Sequence, residues 1–152
     1  SLFSAACQVG AMSTNTSKEK IESLKSFGTN FGMSFQLIDD TIDYSSSSKI
    51  LGKNIGDDFK EGKVTLPIIL AYLRSNNKEK KFWKKTIENL HQDQNDFERA
   101  KKIIQKYNCI EDTIDRARHF ANIAKDSLGT FEETQFKEIL INLVTSGLTR
   151  SS

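Results

Sequence analysis

The stretch IESLKSFGTNFGMSFQLIDDTIDY, from Ile21 to Tyr44, decides the fold. Ile21, Leu24, Phe27, Phe31, Phe35, Ile38 and Ile42 recur at steps of three and four. That spacing is one apolar stripe on an α-helix ending near Tyr44. At 100° per residue, Gln36, Asp39, Asp40 and Asp43 fall within about 100° of one another. The stripe through Phe31, Phe35, Ile38 and Ile42 lies roughly 120° away on the same helix. One side is therefore anchored in a core, and the adjacent side presents an amide and a row of carboxylates. Asp39 and Asp43 form an i,i+4 like-charge pair, which is unfavourable until a cation neutralises it. Closely spaced carboxylate oxygens suit Mg²⁺, with Mn²⁺ in its place, because such ions keep several waters and bridge to phosphates. The plain alternative is a solvated acidic patch. Gly28 and Gly32, one and two turns earlier, leave room for another backbone or an extended ligand.

Downstream, SSSSKILGK reads as a loop by composition. The segment GKNIGDDFKEGKVTLP, Gly52 to Pro67, is polar and punctuated by Gly52, Gly56 and Gly62. Lys49, Lys53, Lys60 and Lys63 are mobile point charges suited to diphosphate oxygens. Asp57 and Asp58 fit contacts to metal-bound water, or to the lysines themselves. By composition alone, a flexible charged loop fits equally well.

The rest of the chain is helical in period. Residues 2–12 look like the end of a buried helix rich in small residues, and Thr16 or Ser17 is placed to cap the next. A helix resumes near Leu66 with Pro67 in its first turn and ends near Arg74. Phe82, Trp83, Ile87 and Leu90 mark a short amphipathic helix. Phe97, Ala100, Ile103, Ile104 and Tyr107 mark another. Ile110, Ile114, Ala117, Ala121, Ala124 and Leu128 form a stripe that suits close packing, and Gly129 reads as its stop. Phe136, Ile139, Leu140, Leu143 and Val144 define the last helix. All these stripes read as core, no strand pattern occurs, and residues 1–152 read as a single all-α domain.

Composition narrows the function classes. The chain has 152 residues, one proline and a net charge of +2. That is enough chain for a real core, and it gives no strong field for nucleic acid or anionic membrane. Cys7 and Cys109 are far apart and read as reduced, packed thiols of a cytoplasmic protein. His91 and His119 lack a partner at metal-ligand spacing. No apolar run reaches the ~20 residues of a membrane span.

Phe35, Gln36, Asp39, Asp40 and Asp43 resemble the second aspartate-rich motif, FQxxDDxxD, of the trans-isoprenyl diphosphate synthases, or polyprenyl synthetases. Gly52, Lys53, Gly56, Asp58, Gly62, Lys63, Thr65, Leu66 and Pro67 fit the motif GKxxGxDxxxGKxTLP that follows it in long-chain members. LFSAACQVGA, the alanine stripe through Ala117, Ala121 and Ala124, and Arg150 also match the family pattern. The likeness is greatest to octaprenyl and related long-chain synthases, and it covers the chain as their C-terminal half.

The resemblance implies an isoprenoid synthase-type helical bundle around a central cavity. It implies condensation of isopentenyl diphosphate with an allylic diphosphate, assisted by Mg²⁺, for isoprenoid and quinone biosynthesis. Asp39 would be a direct metal ligand, with Asp40 and Asp43 orienting the ion's waters. Lys53, and Lys63 near it, would bind the allylic diphosphate, and Gln36 would face the reacting centre. The complete protein is expected to be a homodimer, or to pair with an N-terminal half supplied as a separate chain. The family's first DDxxD motif and its isopentenyl diphosphate pocket belong to that other half, so the 152 residues alone are expected to be inactive. The other readings are a non-catalytic helical subunit, which the presence of Asp39, Asp40 and Asp43 argues against, and a class I terpene cyclase, whose second metal motif is spaced differently.

Overall fold

Every regular element among the described residues, 2–44 and 56–150 of a computed structural model, is helical. They are α1 (Leu2–Met12), α2 (Lys18–Ile42), the short α3 (Asp57–Lys60), α4 (Leu66–Arg74) and α5 (Asn77–Trp83), which runs on into a π-helical turn over Lys84–Glu88. Then come α6 (Asp96–Lys106), α7 (Cys109–Asp126), which tightens into a 3₁₀ turn over Ser127–Thr130, and α8 (Gln135–Thr149). Ser17 caps α2 by accepting the Lys20 N–H at 3.3 Å. Pro67 occupies the first turn of α4, where its missing N–H removes no helical bond. No described helix is long and apolar enough to cross a membrane.

The contacts divide the chain into two compact units, Ser1–Ile38 with Asp115–Ser152, and Asp39–Ile114. In the first, Phe27, Phe31, Ala121, Ala124, Leu128 and Val144 form the buried core. Ala121 and Ala124 have no exposure, and such small side chains let helices approach closely. A Cβ on Gly28 would lie 2.5 Å from the Phe3 carbonyl oxygen. The glycine therefore admits the α1 backbone, one of the two occupants its position suggested. Phe3 meets the Phe31 ring edge-on at 5.1 Å between centroids.

The second unit is built around Phe59, Ile68, Ala71, Phe82, Trp83, Ala100 and Ile104. Trp83 buries its indole and still satisfies its N–H, donating to Ser75 Oγ at 3.1 Å. Ser75 Oγ in turn donates to the Ala71 carbonyl at 2.7 Å, so one hydroxyl joins α4 to α5. Cys109 is buried and Cys7 half-buried, both as free thiols. Burial pushes both thiols up, Cys109 to about 11, which favours the protonated form.

Four expectations need correction. In α1 only Ala11 is buried, while Leu2, Val9 and Met12 are exposed. In α8, Phe136, Ile139 and Leu143 are exposed and Leu140, Val144 and Leu148 face the core. The α8 wheel carries two apolar stripes roughly 100° apart, and packing uses only the second. Leu90 sits beyond the π-helical turn at φ 54 and is exposed, so it does not extend the α5 face. Helix α7 ends by winding into its 3₁₀ turn, without a left-handed Gly129.

Candidate functional site

Helix α2 carries Asp39 and Asp40 in its last turn, and Asp43 stands in the turn just past its end at Ile42. Asp39 is half-buried, Asp40 is 9% exposed and Asp43 is half-buried. Gln36 is exposed one turn earlier on α2 and belongs to the first unit. Lys49 and Lys53 lie outside the described residues.

Asp43 is bound to the start of α3. Its Oδ1 accepts the Gly56 N–H at 3.2 Å. A four-residue helix led by glycine has no side chain of its own to cap it, and the Asp43 carboxylate fills that role from 13 residues away. Gly56 holds φ at +84, and a Cβ there would meet the Phe97 ring at 2.8 Å. Only glycine fits such a backbone against such a neighbour. Phe97 also packs on Tyr44, at 6.1 Å between centroids, and on Phe59, at 5.6 Å.

The lysine expected near a diphosphate is held on α3 by both backbone and side chain. Lys63 N–H donates to the Asp58 carbonyl at 2.9 Å, and its Nζ reaches Asp58 Oδ1 at 2.7 Å. Glu61 adds a second carboxylate at 2.9 Å. Asp58 and then Glu61 push the Lys63 ammonium up, so it is fully charged. Asp57 pairs with Lys60 at 3.2 Å. The two loop acids thus hold lysines, one of the two roles their positions suggested.

Burial and then the neighbouring Asp58 carboxylate push the Asp43 carboxyl up, against the pull of the amides of Gly56, Asp58 and Asp57. Its Oδ2 is buried with no hydrogen-bond partner. A buried carboxylate oxygen with no well-formed hydrogen bond, beside a second carboxylate, suits a cation. Among the described residues no three His, Cys, Asp or Glu side chains converge on one ion. A hard cation that takes one or two carboxylates and keeps several waters does not require such a cluster.

Sequence reasoning missed two features here. Tyr44 and Thr65 place buried hydroxyls with no well-formed hydrogen bond beside the aspartates. Burial foremost, with Asp43, Asp58 and Asp40 adding to it and Thr65 opposing, pushes the Tyr44 phenol up and keeps it protonated. Gln92 Nε2 donates to the carbonyls of Phe59 and Thr86, both at 2.8 Å, and so ties α3 to the π-helical turn. A glutamine 33 residues from its partner leaves no periodic signal. The buried Tyr44 had one, at the end of the α2 stripe.

The polyprenyl synthetase family model matches residues 1–105. The chain belongs to the polyprenyl synthetase family. Over 150 residues this polyprenyl synthetase chain is 30% identical to the octaprenyl diphosphate synthase of Haemophilus influenzae, covering 99% of itself and 45% of that protein. It is 32% identical over 145 residues to the octaprenyl diphosphate synthase of Escherichia coli, covering 93% and 44%. Among solved structures, a polyprenyl synthase from Caulobacter crescentus, complexed with calcium and isoprenyl diphosphate, shares 40% identity and a TM-score of 0.92. That match covers 99% of this chain and 46% of the other. The chain spans less than half the length of each of these relatives. The all-α class expected from its helical periods is the class of these synthases.

Proposed function

We propose that this polyprenyl synthetase chain carries the second aspartate-rich half of a trans-polyprenyl diphosphate synthase. Such a transferase breaks the C–O bond of an allylic diphosphate, and the electron pair leaves on the diphosphate. The double bond of isopentenyl diphosphate attacks the allylic cation, and loss of a proton gives a chain five carbons longer. The observation that carries this reading is the bond from Asp43 to Gly56. It ties the carboxylate-bearing end of α2 to the segment that holds Asp58 and Lys63. The calcium and isoprenyl diphosphate bound by the Caulobacter relative support the same pairing of cation and diphosphate.

A bound divalent cation, Mg²⁺ with Mn²⁺ in its place, supplies neutralisation of charge developing on the leaving diphosphate. Asp39 would hold it directly, and Asp40 and Asp43 would accept hydrogen bonds from its waters. Lys53 would contact the allylic diphosphate. Lys63 would exchange its Asp58 and Glu61 partners for diphosphate oxygens. Gln36 would face the reacting carbons. The proposed product is a long-chain polyprenyl diphosphate for quinone biosynthesis in the cytoplasm. The proposed assembly is a homodimer of the complete protein, or a pairing with a separate N-terminal half.

The test is Asp39→Ala in the intact protein. Mg²⁺-dependent binding of an allylic diphosphate should disappear in calorimetry, while the thermal midpoint stays near wild type. Unchanged binding removes Asp39 from the site.

A further inference from the structure

We infer that Asp43 is a positioning residue, fixing the α3 turn through one oxygen so that Lys63 is presented to an anionic ligand. The inference rests on the reading above for the nature of that ligand, a Mg²⁺–diphosphate. Its own basis is a chain of contacts. Asp43 Oδ1 accepts the Gly56 N–H at 3.2 Å. Gly56 opens α3 against the Phe97 ring. Asp58, in the first turn of α3, receives both the Lys63 backbone N–H at 2.9 Å and its ammonium at 2.7 Å. A short helix with no local cap does not persist by itself. Taking away the remote acceptor leaves the Gly56 N–H buried without a partner, and the turn loosens. The second oxygen, Oδ2, makes no hydrogen bond, so the bond to Gly56 occupies only one of the two oxygens.

The experiment compares wild type, Asp43→Asn and Asp43→Ala in the intact protein, each with and without Lys63→Ala. Two quantities are read: amide hydrogen exchange over residues 56–63 without ligand, and calorimetric binding of inorganic diphosphate with Mg²⁺. Asparagine keeps a carbonyl acceptor and loses the charge, whereas alanine loses both. Exchange in D43A should quicken about tenfold at 56–63, as expected for one lost charge-assisted bond, and stay unchanged in α8. In D43N it should stay within about threefold of wild type. Removing Lys63 should weaken diphosphate binding about tenfold in the wild-type and D43N backgrounds, and less than threefold in D43A. Wild-type exchange in D43A overturns the proposal. So does an equal Lys63 loss in all three backgrounds, which would leave Asp43 acting on the cation alone. Wild-type protein that binds no Mg²⁺–diphosphate sinks the functional reading, and the ligand half of this proposal with it. The exchange arm then separates the two failures.

Discussion

Each unit has its own apolar core, and the two differ in what their ion pairs join. In the first, Phe27, Phe31, Ala121, Ala124, Leu128 and Val144 interlock, and the ion pairs Lys25–Glu22, Arg118–Asp115 and Lys137–Glu133 join near neighbours in the chain. In the second, charged groups link different elements. Arg74 of α4 reaches Asp112 of α7, Lys106 of α6 reaches Glu79 of α5, and Lys85 of the π-helical turn reaches Asp96 of α6. In the unit that carries Asp39, Asp40 and Asp43, ion pairs join different elements, whereas the first unit joins its elements by hydroxyl contacts such as Ser26 to Ser127 and Thr29 to Ser4. Apolar stripes suffice to pack long helices. Short helices such as α3, α4 and α5 bury less each, and side-chain bonds fix what burial leaves loose.

The largest effect should come from the core of the first unit. Phe27 is 1% exposed and stacks on Phe31 at 6.0 Å between centroids. Phe27→Ala should destabilise by about 3–5 kcal/mol, from lost burial plus the cavity it leaves. Denaturant unfolding of the intact protein measures it. A loss under about 1 kcal/mol, of the kind seen at a collapsible surface site, would break the contrast between the units.

A smaller, pH-dependent effect should mark the second unit. Glu79 accepts from Lys106 Nζ at 2.8 Å, from the Asn76 N–H at 2.9 Å and from the Tyr107 hydroxyl at 2.9 Å. Lys106 first, then the Asn76 amide, and Tyr107 more weakly, hold its carboxyl down to about 2, with burial opposing them. The folded value lies below the ordinary 4.5, so the stabilisation is complete above pH 4.5 and lost as pH falls through about 2. Glu79→Gln keeps acceptors for Asn76 and Tyr107 and loses the charge. It should cost about 1–2 kcal/mol at pH 7 and almost nothing near pH 2. Urea midpoints at the two pH values measure this, and a pH-independent difference assigns the role to packing.

What could be read in the sequence follows the same division. Phe27, Phe31, Ile38 and Ile42 announced α2 by spacing, Pro67 announced α4, and Ala117, Ala121 and Ala124 announced a close helix contact, because each is a periodic or local signal. The spacing of Asp39 and Asp40 was legible for the same reason, whereas Asp43, expected on the same helix, stands in the turn just past the end of α2. The bond from Asp43 to Gly56 was not legible, nor were Gln92 on Phe59 or Lys106 on Glu79. Those partners meet only once the chain has folded, and a side-chain bond between elements has no period. Helix α8 shows the opposite limit. Its sequence offers two apolar stripes, and periodicity cannot say which one packs.

The smallest effect sharpens the comparison from the other side. Arg118 pairs with Asp115 at 2.8 Å, three residues back along α7, and both side chains are largely exposed. A pair of this kind gives little net stability, because solvent screens it and ordering two side chains opposes it. Arg118→Ala should move the urea midpoint by no more than roughly 0.5 kcal/mol in stability at any pH between 5 and 8. Glu79→Gln in the same pH range should exceed it severalfold, although each substitution deletes one charge. The difference comes from what the charge joins: Arg118 meets a residue its own helix already places beside it, whereas Glu79 caps one helix and receives the end of another. If the two substitutions cost the same, the polar links of the second unit are as decorative as the surface pairs of the first, and short-helix burial alone must hold that unit.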